Sequence, residues 1–116
     1  MFKIYKYIEN SDNILIASPI YFNQLTGKLL DLCSRFQKYF FNIKPKQKKG
    51  AIILVSGGKS DPQKIYSLST CILKQIGASN IFPLVGSFNT DIIPANQDSL
   101  ALKNIEKLAN FFNNKY

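Results

Sequence analysis

The chain has 116 residues, two cysteines, no histidine, and 15 lysine or arginine residues against 7 acidic ones, for a net charge of +8. That length predicts one domain able to bury a core without disulfide or metal staples, and the lack of histidine excludes histidine-built zinc sites, serine–histidine catalysis and histidine acid–base chemistry. No apolar run approaches the roughly 18 residues of a membrane helix and Met1–Lys6 carries no leader pattern, so the expectation is a cytoplasmic protein with no membrane partner.

In chain order, Phe2, Ile4, Tyr5 and Ile8 have the spacing of an amphipathic helix over 2–8. Asn10 to Asn13 reads as a turn. Ile14 to Ala17 is wholly apolar, as in a strand covered on both faces, and it runs into Ser18-Pro19, where proline ends strand pairing. Leu25, Leu29, Leu32, Cys33, Phe36, Tyr39 and Phe40 trace one face of a helix of about four turns. Asn42 to Gly50 is a connector, and Ala51 to Val55 is a second strand closing on Ser56-Gly57-Gly58.

Asp61 and Pro62 then supply an N-cap and a first helical residue. Ile65, Leu68, Ile72 and Ile76 form an apolar stripe, and Gly77 is a helix stop. Ile81 to Val85 is a third strand, whose Pro83 indicates an edge position or a bulge. Gly86 to Asn96 is a longer loop. Leu100 to Phe112 is the last helix, with Ile105, Leu108, Ala109 and Phe112 inward, followed by a frayed tail over 113–116. Both cysteines fall in helical apolar patterns and are read as buried free thiols. The only arginine is Arg35, and the densest basic cluster (Lys44, Lys46, Lys48, Lys49) lies in the connector. The expectation is a solvated lysine-rich surface and no nucleic-acid partner.

Apolar strands alternating with helices give an α/β domain, a short parallel sheet with helices on both faces. Ligands of such sheets sit beyond the strand carboxyl ends, here Ser18 to Asn23, Ser56 to Ser60 and Gly86 to Thr90. The first loop, Ser18-Pro19-Ile20-Tyr21-Phe22-Asn23, places adjacent aromatics where solvent favours polar residues. Either a planar ligand stacks there or Tyr21 and Phe22 pack under the following helix. Ser56, Gly57 and Gly58 either allow close approach of a ligand or form a plain tight turn. No dinucleotide fingerprint or P-loop follows a strand.

The run Ile14-Leu15-Ile16-Ala17-Ser18-Pro19-Ile20-Tyr21-Phe22, followed by Leu25-Thr26-Gly27-Lys28-Leu29-Leu30-Asp31 and Arg35-Phe36, resembles the central segment of NADPH-dependent FMN reductases and WrbA-type multimeric flavodoxins. Leu54 to Gly58 resembles that family's next flavin-side loop. The resemblance implies a flavodoxin-like three-layer sandwich, FMN as cofactor and NAD(P)H as co-substrate. Pro19, Ile20, Tyr21, Phe22 and Asn23 would flank the ring on one side and Ser56, Gly57 and Gly58 on the other, with Ser18 ending the strand that presents them. The cofactor then carries the chemistry and no catalytic side chain is required.

Family members begin with a strand and a phosphate-gripping loop that have no counterpart in these 116 residues. The expectation is therefore a truncated domain with weak or absent FMN binding. A bare edge at the Ile14–Ala17 strand would be covered by a homodimer or by a chain supplying the N-terminal half. The rival expectation is a dimeric assembly module that binds no flavin.

Overall fold

The computed structural model describes residues 2–21, 24–36, 48–58 and 60–114. Helix α1 (Phe2–Asn10) leads into strand β1 (Asn13–Pro19), helix α2 (Gly27–Ser34) and strand β2 (Lys48–Val55). Helix α3 (Pro62–Gln75), strands β3 (Ala78–Ile81) and β4 (Val85–Ser87), a 3₁₀ turn (Ala95–Gln97) and helix α4 (Ser99–Asn113) complete the order. The expected Leu25–Phe40 helix is corrected to Gly27–Ser34, with Arg35 capping it and a turn at Arg35–Phe36; residues 37–40, and Lys44 and Lys46, lie outside the described residues.

β2 is the central strand. It pairs in parallel with β1 along its whole length, from Asn13 opposite Lys49 to Pro19 opposite Val55. Its other side pairs in parallel with β3 near its start and with β4 near its end. The expected third strand over 81–85 is thus corrected: Ile81 and Val85 end one short strand and begin another, and residues 82–84 belong to neither. Phe82 still donates its N–H to the Gly50 carbonyl at 2.9 Å. Pro83, which has no N–H to give, follows at the break. The registers Ile81 opposite Gly50 and Val85 opposite Ile53 show one more residue on this lane than on β2, so the lane is both an edge and bulged, as its proline indicated.

Alternation along β2 feeds two cores. On one face Ile52 and Leu54 pack with Ile16 of β1, Leu25 and Phe36 around α2, and Ile65, Leu73 and Ile76 around α3. On the other, Ala51 packs with Val85 and Leu108 of α4, bordered by Ile53, Phe82, Phe111 and Phe112. The Phe82 and Phe111 rings lie 5.2 Å apart at a tilt of 48°.

The connector reading of Lys48 and Lys49 is corrected, since both are buried at the start of β2. Being adjacent on a strand, they point to opposite faces. Lys48 Nζ donates to the carbonyls of Glu9 and Ser11 (3.3 and 3.0 Å) where α1 ends. Lys49 Nζ donates to the carbonyls of Phe111 and Asn114 where α4 ends, and lies 5.1 Å from the Phe111 ring centroid. Helix C-terminal carbonyls carry the negative end of the peptide dipoles, so each ammonium sits where a cation is favoured.

Four further expectations change. Cys71 is exposed and Cys33 half-buried, so the pair are not both buried thiols. Leu68 is exposed, because the inward stripe of α3 runs through Ile65, Ser69 and Leu73; Ser69 tolerates the core by donating to the Ile65 carbonyl at 2.7 Å. On α4 the inward residues are Ala101 and Leu108, while Ile105 and Ala109 are exposed. β1 is covered on one face only, since Leu15 and Ala17 are exposed. β1 runs on through Ser18 and Pro19, Gly50 lies in β2, and Gly86 and Ser87 belong to β4 where a loop was expected; the limits of α3 agree with the sequence reading. Asp61 caps α3 by accepting from Lys64 N, Pro62 begins it, and Gly77 leaves it at φ 105°.

Gly86 lies in β4 where a Cβ would meet the Leu54 carbonyl oxygen at 2.2 Å, whereas a Cβ on Gly27 would meet nothing. Gly86→Ala should therefore cost at least about 1–3 kcal/mol, as overpacking does, against a near-neutral Gly27→Ala, read from urea midpoints. The second test concerns acid. Asp98 caps α4 through Ala101 N–H and accepts from Ser87 Oγ at 2.8 Å, and these bonds hold its carboxyl below the usual range. A lowered folded-state pKa gives stability that is present above the unfolded value and lost as pH falls through the folded one. The Asp98→Asn protein should lose less stability between pH 5 and pH 2 than the parent, measured by denaturant melts at each pH.

Candidate functional site

The carboxyl ends of β1, β2 and β4 meet at one rim, and backbone bonds lock the three loops together. Ile20 N donates to the Val55 carbonyl at 2.8 Å, joining the first loop to the second. Ser56 N donates to the Ser87 carbonyl at 2.9 Å, Thr90 N to the Ser56 carbonyl at 3.1 Å, and Asp91 N to the Gly57 carbonyl at 3.1 Å, joining the second loop to the third. Thr90 Oγ1 adds a bond to the Ser56 carbonyl at 3.1 Å.

Within the first loop Ser18 is buried. Its Oγ donates to the Pro19 carbonyl at 2.7 Å and accepts from Thr26 N at 3.2 Å, so the hydroxyl closes the turn into α2. Pro19 is exposed at the strand end and Ile20 packs against the core. Tyr21 exchanges two backbone bonds with Gln24 (3.1 and 3.0 Å), and its side chain is 63% exposed. Of the two alternatives for this aromatic, packing under the helix is therefore excluded for Tyr21. Phe22 and Asn23 lie outside the described residues.

In the second loop Ser56 is buried. Its Oγ donates to the Gly58 carbonyl at 2.9 Å and lies 3.0 Å from Ser60 Oγ. Gly57 and Gly58 are not in the left-handed region. Their role is steric: a Cβ on Gly57 would meet the Asp91 carboxylate at 2.6 Å, while one on Gly58 meets nothing nearer than Asp91 Oδ2 at 3.6 Å. The N–H groups of both glycines donate to no acceptor among the described residues. The rim thus offers an exposed ring, two adjacent amide donors and, at Gly58, an open backbone face, which suits a flat ligand with a polar edge.

Sequence reasoning did not single out Thr90 and Asp91. The polar run Asn89-Thr90-Asp91 after a strand was the available signal, and only the fold brings it over Gly57. Neither site serine has a hydroxyl free of the loop's own bonds. Among the described residues no three potential metal ligands gather. Cys33 lies away from the rim against β1, where burial raises its thiol above the ordinary value and makes it a poor nucleophile.

No family model matches the chain. A curated relative, the iron-sulfur flavoprotein of Archaeoglobus fulgidus, is 27% identical over the whole of this chain, which spans 53% of that protein's length. A solved structure, an NADPH-quinone reductase from P. pentosaceus, superposes with a TM-score of 0.72 at 8% identity, covering 99% of this chain and 75% of that one. The fold is therefore flavodoxin-like, a parallel sheet flanked by helices. The resemblance to flavodoxin-like proteins of the NADPH-dependent FMN reductase type, read from residues 14–36 and 54–58, agrees with this flavodoxin-like fold and with a flavoprotein relative.

Ser18→Ala should leave the Thr26 N–H without its acceptor in a buried turn. The expected cost is about 1–3 kcal/mol, read as a lowered thermal midpoint with unchanged far-ultraviolet dichroism.

Proposed function

We propose that the chain is the ring-binding part of a cytoplasmic, FMN-dependent NAD(P)H oxidoreductase. The observation that carries this reading is the rim itself: exposed Tyr21 on the β1 loop and the open Gly58 backbone of the β2 loop, the two loops tied together by the Ile20–Val55 bond. When bound, FMN supplies hydride acceptance from a nicotinamide and delivery to an acceptor. The protein's task is to hold and orient. Tyr21, with Pro19 and Ile20 behind it and Phe22 and Asn23 beside it in sequence, supplies a face for the ring. The Gly57 and Gly58 amides donate to its polar edge, and Ser56 fixes their direction through its bonds to Gly58 and Ser60.

The three loops account for ring contacts. A doubly charged phosphate needs several aligned N–H donors, and we assign these to residues outside the 116, so that the chain alone binds FMN weakly. The chain spans about half of its curated relative, and the activity of a whole oxidoreductase is proposed for the assembly that holds both parts. The second reading, an assembly module without flavin, draws on the open edge of β1.

Titration of FMN fluorescence separates these readings. Saturable quenching by the parent is expected, with Tyr21→Ala weakening it about three- to tenfold, the worth of one aromatic stack. Gly58→Val, which has room in the fold, should weaken it further by filling the ring's space. A parent that never quenches FMN, or equal quenching by all three proteins, sinks the flavin reading.

A further inference from the structure

Asp91 is held at the rim by bonds that leave its carboxylate unused. Its N–H donates to the Gly57 carbonyl at 3.1 Å, and the preceding Thr90 is fixed twice to the Ser56 carbonyl, through N–H and Oγ1, each at 3.1 Å. The carboxylate rests where Gly57 lacks a side chain: a Cβ there would lie 2.6 Å from Oδ1 and 2.9 Å from Oδ2. Oδ2 also lies 3.6 Å from the place of a Cβ on Gly58, so it is shared between the two glycines. Asp61 and Asp98 each accept a backbone N–H at the start of a helix. The Asp91 carboxylate has no hydrogen-bond or ion-pair partner among the described residues, and the residue is exposed. The neighbouring Gly57 and Gly58 N–H groups are likewise without acceptors there.

We propose that Asp91 is the specificity-determining residue of the rim: its carboxylate accepts a ring N–H, so that the rim selects a planar ligand with a cyclic imide or lactam edge. An ionised carboxylate only accepts hydrogen bonds, and a backbone N–H only donates. Gly57, Gly58 and Asp91 therefore offer two donors and an acceptor side by side. The complement is an edge on which a ring N–H stands next to C=O groups. The carboxylate takes the N–H, and the glycine amides take the oxygens. A bond to an ionised acceptor is roughly twice as strong as a neutral one. An edge that carries only acceptors, a negative charge or a methyl group in place of the hydrogen meets the carboxylate without a donor and is rejected. Gly57 is then a requirement of the acceptor, since any side chain there displaces it. The flavin ring has an imide edge, so the inference rests on the flavin reading above and names the side chain that recognises that edge. Stacking on Tyr21 does not sense the imide hydrogen.

The test titrates the full chain with FMN and with FMN methylated at the imide nitrogen, following flavin fluorescence. The parent should bind FMN about tenfold more tightly than the methylated form, the worth of one hydrogen bond to a charged group. Asp91→Ala should weaken FMN by about the same factor and leave the methylated form unaffected, so that the preference disappears. Asp91→Asn, which keeps an acceptor oxygen without the charge, should retain part of it. Gly57→Ala, whose Cβ pushes the carboxylate aside, should lower the preference with Asp91 still present. Tyr21→Ala should weaken both flavins alike. A parent that binds the two flavins equally, or a preference that survives Asp91→Ala, overturns the assignment and leaves the flavin reading standing. A parent that binds neither flavin overturns the flavin reading, and this inference with it.

Discussion

Two adjacent lysines at the head of the central strand hold the layers in place. Lys48 reaches the carbonyls that end α1 on one face, and Lys49 those that end α4 on the other. Burying a cation is costly unless hydrogen bonds replace its water. Here helix termini with carbonyls left over by their own geometry provide that replacement. The arrangement fixes both helices longitudinally against β2, which in turn sets where β1 and β4 must lie to pair with it. The rim is a product of that registration: Ile20 bonds to Val55 and Ser56 to Ser87 at one level because all three lanes are indexed to the same strand.

The rim's chemistry is mainly backbone chemistry. Ser18 and Ser56 spend their hydroxyls on their own loops, and the backbone of Asp91 is tied to the Gly57 carbonyl, which places its carboxylate over Gly57. On the proposed reading, such a surface holds and orients a ligand that supplies the reactive group itself.

Much of this was legible in the sequence because strands and stops announce themselves. Ile14–Ala17 and Ala51–Val55 are unbroken apolar runs, Asp61-Pro62 and Gly77 bracket a helix, and Pro83 marks a broken edge. What stayed hidden depends on three-dimensional neighbours. Charge pattern places Lys48 and Lys49 in solvent, and only the helix ends above and below explain their burial. Leu68 and Ser69 exchange their expected places because a serine can satisfy itself on its own helix. Leu15 and Ala17 are exposed because α4 meets their face of β1 at Asn13, whose Nδ2 donates to the Phe112 carbonyl at 3.4 Å, and does not cover the strand beyond it. At the site, Tyr21 and the two glycines follow from strand ends, while Asp91 arrives over Gly57 from a distant loop that no local spacing connects to it.

The two margins of the sheet are unlike. Along β3 and β4 the lane gains one residue near Lys48 and Lys49 and another around Pro83, so its outer hydrogen-bonding groups fall out of step with any straight template. A strand laid along that margin would have to break register twice to follow it, whereas β1 and β2 run in unbroken register from Asn13 to Pro19.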